Sequence, residues 1–146
     1  MTSDDQRGSR PAARPCPTCP YRRDAPSGLW AVHEYAKLPG YDGDIGSQLA
    51  AGADQLFNCH TDRNRLCAGW VGCHDMENNA AVRIHFEEVD LRCLYDYVSP
   101  VPLFASGTEA AAHGVRDIED PDFDSRLAAD KLRRIRKRRK QRERKK

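Results

Sequence analysis

The stretch FNCHTDRNRLCAGWVGCHD, residues 57–75, carries three cysteines and two histidines within nineteen positions. Two of these cysteines are followed directly by histidine, at residues 59–60 and 73–74. Thiolate and imidazole groups are the ligands that zinc and other soft metal ions prefer in proteins. The stretch therefore predicts a metal site around which the rest of the chain folds.

A second cysteine pair lies earlier, in the segment CPTCP, residues 16–20. Two cysteines separated by two residues can form a tight turn that presents both sulfurs to one metal ion. This turn supplies half of a tetrahedral site, and we expect the other half from residues 57–75. Neighbouring side chains point in different directions, so each Cys-His pair is expected to give one ligand.

Several ligand sets are compatible with this spacing. Cys59 and Cys67 complete a four-thiolate site with the CPTCP pair, and Cys73 in place of either keeps four thiolates. His60 or His74 in that position gives three thiolates and one imidazole. The spacing leaves these sets open, although His60 is expected beside the site rather than in it, because its neighbouring cysteine is the better ligand.

The segments PCPTCPYRRDAPSG, FNCH, CAGW and NNAAVR resemble a family of small cysteine-rich proteins of unknown function found in actinobacteria and their phages. The resemblance covers roughly residues 15–85 and implies no known reaction. It implies four shared thiols, which we take as the predicted metal ligands: Cys16, Cys19, Cys59 and Cys67. His60 and Arg83 also match, whereas three residues depart from the pattern and are poorer candidates: Cys73, His74 and Cys93.

Four thiolates suit zinc, and they also suit an iron-sulfur cluster, whose cysteines are often followed by proline as in CPTCP. Zinc is the favoured ion because it is the commoner occupant of a site built from two pairs. A thioredoxin-like redox pair would need a strand before CPTCP and a helix after it. The flanking segments RGSRPAAR and PYRRDAP predict neither element.

The composition explains why a metal would matter for folding. Leucine, isoleucine, valine and phenylalanine account for 25 of the 146 residues, about 17%, and below roughly 20% a chain begins to lack the apolar surface for a core. No apolar run is long enough for a signal peptide or a membrane span. We therefore expect a cytoplasmic protein without a membrane partner, in which reduced cysteines bind metal.

The predicted fold is a single, mainly α domain, with a small irregular α+β arrangement as the alternative. Residues 1–15 are expected to be a disordered arm, residues 16–120 the metal-stabilised domain, and residues 121–146 an acidic turn with a basic helical or disordered tail. Residues 56–59 could form a short strand. Hydrophobic spacing predicts helices within residues 29–36, 82–89, 91–98, 108–114 and 127–135.

Cap residues set the expected ends of these helices. Asn78 or Asn79 is expected to cap the second helix and Thr108 the fourth. Asp90 is expected either to start the third helix or to continue the second. Gly114 is expected to end the fourth helix in a left-handed conformation. Trp70, between two glycines, is expected to be a core residue lying over the metal site.

Charge is divided sharply along the chain. Residues 131–146 hold twelve of the 24 Lys and Arg residues and one acid, while the remaining residues carry an excess of acids. Such a tail predicts binding to a polyanion such as DNA or RNA, with weak sequence preference because the tail has no aromatic residue. The predicted nucleic-acid contacts are Arg133, Arg134, Arg136, Lys137, Arg138, Arg139, Lys140 and Arg142.

Motifs for common catalytic sites are absent from the sequence: it has no Gly-rich phosphate loop, no GxSxG turn and no HExxH helix. We therefore predict a zinc-binding interaction module rather than an enzyme. Its tail is expected to bind nucleic acid or a ribonucleoprotein, and its acidic body a protein. The alternative is an iron-sulfur protein with a redox-sensing or catalytic role.

Overall fold

Seven α-helices, most of them short, are found in the residues that the computed structural model describes, which are 10–59, 61–62, 64–118 and 123–144. Single turns of 3-10 helix occur at Leu38–Tyr41, Met76–Asn78 and Phe86–Glu88. Over these residues the backbone forms isolated bridges instead of strands, so the predicted mainly helical single domain is confirmed. The α-helices are α1 (Val32–Ala36), α2 (Ile45–Ala50), α3 (Ala68–Cys73), α4 (Ala80–Ile84), α5 (Leu91–Asp96), α6 (Gly107–Arg116) and α7 (Phe123–Arg144).

Side-chain caps start most of the helices that follow the first. Asn79 accepts a hydrogen bond from the amide of Val82 and begins α4, and Asp90 accepts from the amide of Cys93 and begins α5. Both caps agree with the sequence prediction. Helix α6 instead begins at Ser106, whose hydroxyl accepts from the amide of Glu109, so the predicted Thr108 cap is wrong.

Gly114 lies inside α6 rather than at its end. A Cβ atom at this position would stand 2.1 Å from Cε1 of Tyr35, so only glycine lets the tyrosine ring pack against the helix backbone. The predicted C-cap at Gly114 is therefore wrong, and the helix continues to Arg116. The contact joins α6 to α1, from which Tyr35 projects.

The core is built from aromatic side chains more than from aliphatic ones. Trp70 is completely buried and stacks on Phe57, with ring centroids 6.4 Å apart, while Tyr41 meets Trp70 edge-on at 5.4 Å. Large rings bury much area per residue, so few are needed to fill a small interior. The core position expected for Trp70 is confirmed, whereas two residues expected on helical core faces, Phe86 and Val98, are 54% and 84% exposed.

Leu66 joins three segments of the chain through its backbone. Its amide donates to the carbonyl oxygen of Arg10, and its own carbonyl oxygen accepts from the amide of Ala12. It also forms a bridge with Asn58, which replaces the strand expected at residues 56–59. Residues 1–9 of the expected disordered arm lie outside the described residues, and the part from Arg10 onward contacts the body.

Helix α7 lies on the body of the protein. Leu132 is 3% exposed, and the guanidinium carbon of Arg136 lies 4.9 Å above the ring centroid of Trp30. A cation over an indole ring is attracted by the electron-rich face, which holds the helix against the domain. None of the described helices is both long enough and apolar enough to cross a membrane.

Candidate metal centre

The four predicted ligand cysteines lie together in the folded chain as two pairs. The sulfurs of Cys19 and Cys67 are 3.7 Å apart, although 48 positions separate the two residues. Cys16 and Cys59 form the second pair through a hydrogen bond between their side chains. The two pairs are also close enough to interact electrostatically: Cys16 raises the pKa of Cys67, and Cys19 raises the pKa of Cys16.

The separation within one pair fits a tetrahedral zinc site. A tetrahedron with zinc–sulfur bonds of about 2.3 Å has sulfur–sulfur edges of about 3.8 Å. The 3.7 Å between Cys19 and Cys67 is close to that edge. Across the described part of the chain, however, no three His, Cys, Asp or Glu side chains stand in an arrangement that could hold an ion without movement. Binding by all four thiolates therefore requires the two pairs to draw together.

Backbone amides surround the sulfur of Cys19. The amides of Tyr21 and Gly69 donate hydrogen bonds to this sulfur. The pKa of Cys19 is lowered, mainly by a hydrogen bond from Cys67 and to a smaller extent by these two amides, although burial alone would raise it. Amide donors stabilise a thiolate more than a thiol, so this site is prepared to carry negative charge.

A similar set of donors surrounds Cys59. The pKa of Cys59 is lowered to about 5, chiefly by the hydrogen bond from the Cys16 thiol. The Thr61 hydroxyl and the amides of Thr61 and Asp62 contribute to the same shift. The Thr61 hydroxyl oxygen lies 3.3 Å from the sulfur. The hydrogen bond to Cys59 and burial raise the pKa of Cys16. This pair therefore holds one thiol and one thiolate.

The buried start of α3 positions Cys67. Its sulfur accepts a hydrogen bond from the amide of Trp70 at 3.4 Å and so caps the helix as a serine oxygen would. The hydrogen bond to Cys19, together with burial, raises the pKa of Cys67. Helix α3 thus fixes a ligand at its first turn and Trp70 in the core beside it.

Gly69 lets α3 pass close to the CPTC turn. A Cβ atom at position 69 would stand 2.4 Å from the sulfur of Cys19 and 2.8 Å from Cβ of Tyr21. Contacts this short force the backbone or the ligand to shift. Glycine at position 69 is therefore needed for the helix to pass this close to the CPTC turn.

Replacing Gly69 by alanine is expected to destabilise the protein by about 1 to 3 kcal/mol, since the added methyl group overpacks a rigid site. Urea unfolding followed by circular dichroism measures the change. The matched control is Gly46→Ala in α2, where the nearest atom would lie 3.6 Å from the new Cβ, so no loss is expected. Equal stability of the two variants would contradict the proposed crowding.

The alternative ligands Cys73 and His74 do not join the two cysteine pairs but line a cavity of about 390 Å³. The ring of His74 is already engaged: its Nε2 lies 3.0 Å from the hydroxyl oxygen of Tyr21 and its Nδ1 lies 3.5 Å from a carboxylate oxygen of Asp42. Burial raises the pKa of Cys73 to about 12, so this thiol stays protonated. The other alternative ligand, His60, lies outside the described residues.

His74 gives the protein an acid-sensitive element. Burial lowers the pKa of His74 to about 4, whereas an exposed histidine of the unfolded chain titrates near 6.5. Between these values the unfolded state binds more protons than the folded state. Stability is therefore lost as pH falls from about 6.5 towards 4, by up to about 1.4 kcal/mol per pH unit.

The variant His74→Gln is expected to lack this contribution. The difference in unfolding free energy between wild type and variant should narrow as pH falls from about 7 to about 5. Protonation of the cysteine site affects both proteins alike, so the comparison isolates the histidine. Urea unfolding at several pH values measures the difference, and a constant difference would refute the assignment.

The eight predicted nucleic-acid contacts occupy different positions on α7. Arg136 packs on Trp30, and Arg139 donates a hydrogen bond to the carbonyl oxygen of Thr61. Arg133 forms an ion pair with Asp130. The remaining members of the set are exposed on the helix surface: Arg134, Lys137, Arg138, Lys140 and Arg142.

Thr61 and Asp42 are important residues that the sequence did not reveal. Thr61 contacts the Cys59 sulfur on one side and Arg139 on the other. Asp42 accepts hydrogen bonds from the amides of Gly107 and Thr108 and also faces His74. Each acts across a long stretch of sequence, and the DGD segment around Asp42 resembles an ordinary turn.

Comparison with protein families matches residues 11–139 with a family of unknown function, DUF6283. The match includes all four paired cysteines and most of α7. No curated protein and no solved structure matches the chain.

Proposed function

The chain belongs to the DUF6283 family, and we propose that it is a zinc-binding interaction module that associates with nucleic acid or a ribonucleoprotein through α7. Cys16, Cys19, Cys59 and Cys67 would hold the ion, which would supply structural cross-linking rather than reaction chemistry, because four thiolates leave no open coordination position. An actinobacterial or phage origin and a cytoplasmic location remain predictions.

The observation that carries the metal proposal is the meeting of two distant thiols at 3.7 Å with amide donors directed at their sulfurs. Amides that donate to sulfur stabilise the negative charge of a metal-bound thiolate. None of the six cysteines, all of which lie in the described part of the chain, forms a disulfide. Binding energy at such a site is also folding energy.

The basic surface of α7 supports the second half of the proposal. Exposed arginine and lysine side chains displace counterions from nucleic-acid phosphates, and arginine adds bidentate hydrogen bonds. Helix α7 contains most of the charge run of residues 131–146, and that run carries twelve cations against one acid. The acidic remainder of the chain is proposed to contact a protein.

Metal analysis and nucleic-acid retention on the full chain test the proposal together. Protein purified without oxygen is expected to be colourless and to contain about one zinc ion per chain. It is expected to retain labelled DNA and RNA on a filter at low salt and to release them as salt rises. A metal-free folded protein would refute the first half, and absence of retention at any salt would refute the second.

An iron-sulfur cluster is the second candidate, favoured by the same amide donors, because hydrogen bonds to cluster sulfurs tune these cofactors. The proline after each cysteine of CPTCP is also typical of cluster ligands. A brown protein with iron and sulfide in place of zinc would select this candidate and its redox-sensing role. The short separation of Cys19 and Cys67 favours the single ion.

A further inference from the structure

A small cavity of about 220 Å³ lies between α7 and the loop that follows Cys59. A water molecule in the liquid takes up about 30 Å³, so a cavity of this size accommodates several waters or one small anion. The described residues that line it are Thr61, Ile135, Arg138, Arg139 and Arg142.

Three of the five lining side chains are guanidinium groups, and the lining residues that the structure describes include no acid. Guanidinium groups that converge on a concave surface create a positive potential there, which attracts anions. The planar donor fork of arginine matches phosphate oxygens in pairs, which a lysine ammonium group does not. The cavity therefore has the donor set of a phosphate site.

Thr61, which lines the cavity, also contacts the cysteine site. The amide and hydroxyl groups of Thr61 interact with the sulfur of Cys59, while the carbonyl oxygen of the same residue accepts a hydrogen bond from Arg139. The position of Arg139 thus depends on the loop that the ligand Cys59 holds. The other two arginines, Arg138 and Arg142, are four residues apart and so lie on the same side of α7.

We propose that this cavity binds a backbone phosphate of a nucleic acid and is the point at which the α7 surface grips its ligand. The inference rests on the proposed function and adds a specific site to it. If α7 bound nucleic acid only through its overall positive charge, every cation of the helix would contribute equally to the affinity. If the cavity binds a phosphate, Arg138 and Arg142 contribute more to the affinity than other cations of the same helix.

The test compares two double variants of the full, metal-loaded chain. Arg138→Gln with Arg142→Gln removes two cations from the cavity, and Arg134→Gln with Lys137→Gln removes two exposed cations elsewhere on α7. Fluorescence anisotropy with a labelled DNA duplex, and with the RNA duplex of the same sequence, measures binding at several salt concentrations.

The cavity variant is expected to bind roughly ten- to hundredfold more weakly than wild type, because charge-assisted hydrogen bonds are lost with the charges. The control variant is expected to lose less than about threefold at the same salt. In amide NMR spectra, the Thr61 signal should shift on adding the duplex to wild type and stay unchanged in the cavity variant.

Equal losses in the two variants would overturn the cavity site while leaving the proposed function intact. Absence of binding by the wild-type chain at any salt would overturn both. Tighter binding of a phosphoserine peptide than of either duplex would overturn the choice of nucleic acid as the ligand. Circular dichroism of both variants confirms that neither loss comes from unfolding.

Discussion

Replacing Cys67 by serine is expected to abolish zinc binding and unfold the body of the protein. The hydroxyl of serine is a poor zinc ligand, and Cys67 is 4% exposed at the start of α3, where it also pairs with Cys19. Structural zinc contributes about 10 to 16 kcal/mol of binding energy to small domains. That is comparable with the whole stability of an ordinary domain, about 5 to 15 kcal/mol, so we expect its loss to unfold the chain.

The measurement is thermal unfolding by circular dichroism, together with zinc content. Cys93→Ser is the matched control, since this cysteine is half-buried in α5, away from the paired thiols, and the variant is expected to retain zinc and its melting temperature within a few degrees. Treating wild type with a strong chelator under reducing conditions should reproduce the Cys67→Ser result. A cooperative transition at an unchanged temperature in the chelated wild type would exclude metal as the main source of stability.

Neutralising the exposed cations of α7 is expected to abolish nucleic-acid retention without unfolding the protein. The change to glutamine covers six of the eight predicted contacts and leaves Arg136 and Arg139, because these two hold the helix on the body. On duplex DNA, the logarithm of the binding constant falls with the logarithm of the salt concentration with a slope of roughly −0.9 per phosphate contact. The slope should therefore become less steep by about that amount for each of the six contacts removed. Filter binding at several salt concentrations measures both the affinity and the slope.

The control keeps the charge and exchanges arginine for lysine, and lysine for arginine, at the same six positions: Arg133, Arg134, Lys137, Arg138, Lys140 and Arg142. This variant is expected to keep most of its salt slope and to lose only the part of the affinity that depends on guanidinium geometry. If the neutralised variant retained nucleic acid as well as wild type, the basic surface of α7 would not be the binding surface.

Neutralisation is a better test than truncation because α7 is part of the packed structure. Removing residues 131–146 would take away Leu132, which is 3% exposed, and the cation above Trp30. Loss of these contacts exposes apolar surface that the small core needs. A truncated chain could therefore lose binding through altered folding, which point substitutions on the exposed side avoid.

The candidate site could be predicted in part, because residue type and spacing indicate a cysteine site and the family resemblance implies which four thiols it uses. The spacing in CPTCP and the cysteines around CAGW limit which side chains can meet, and the structure brings Cys16, Cys19, Cys59 and Cys67 together. The arrangement of these thiols as two pairs was not predictable. It depends on how α3 approaches the CPTC turn, and that distance is set by Gly69 and the core beneath it.

The fold was predictable where a single residue determines a local boundary, as Asn79 and Asp90 do. It was not predictable where a distant partner overrides local preference. Gly114 is locally a good helix terminator, yet Tyr35 packs against it and the helix continues. His74 is a second example, because its imidazole lies beside Asp42, a residue from another part of the chain.

The 48 positions between Cys19 and Cys67 also matter during synthesis on the ribosome. At roughly 5 to 20 residues per second, the amino-terminal thiols wait about 2 to 10 seconds before the last of their partners is made. During that interval the nascent chain exposes an incomplete chelate that oxidants and competing soft metals can reach. Faithful assembly of this protein therefore depends on the thiol-reducing capacity and the free-metal concentration around the translating ribosome.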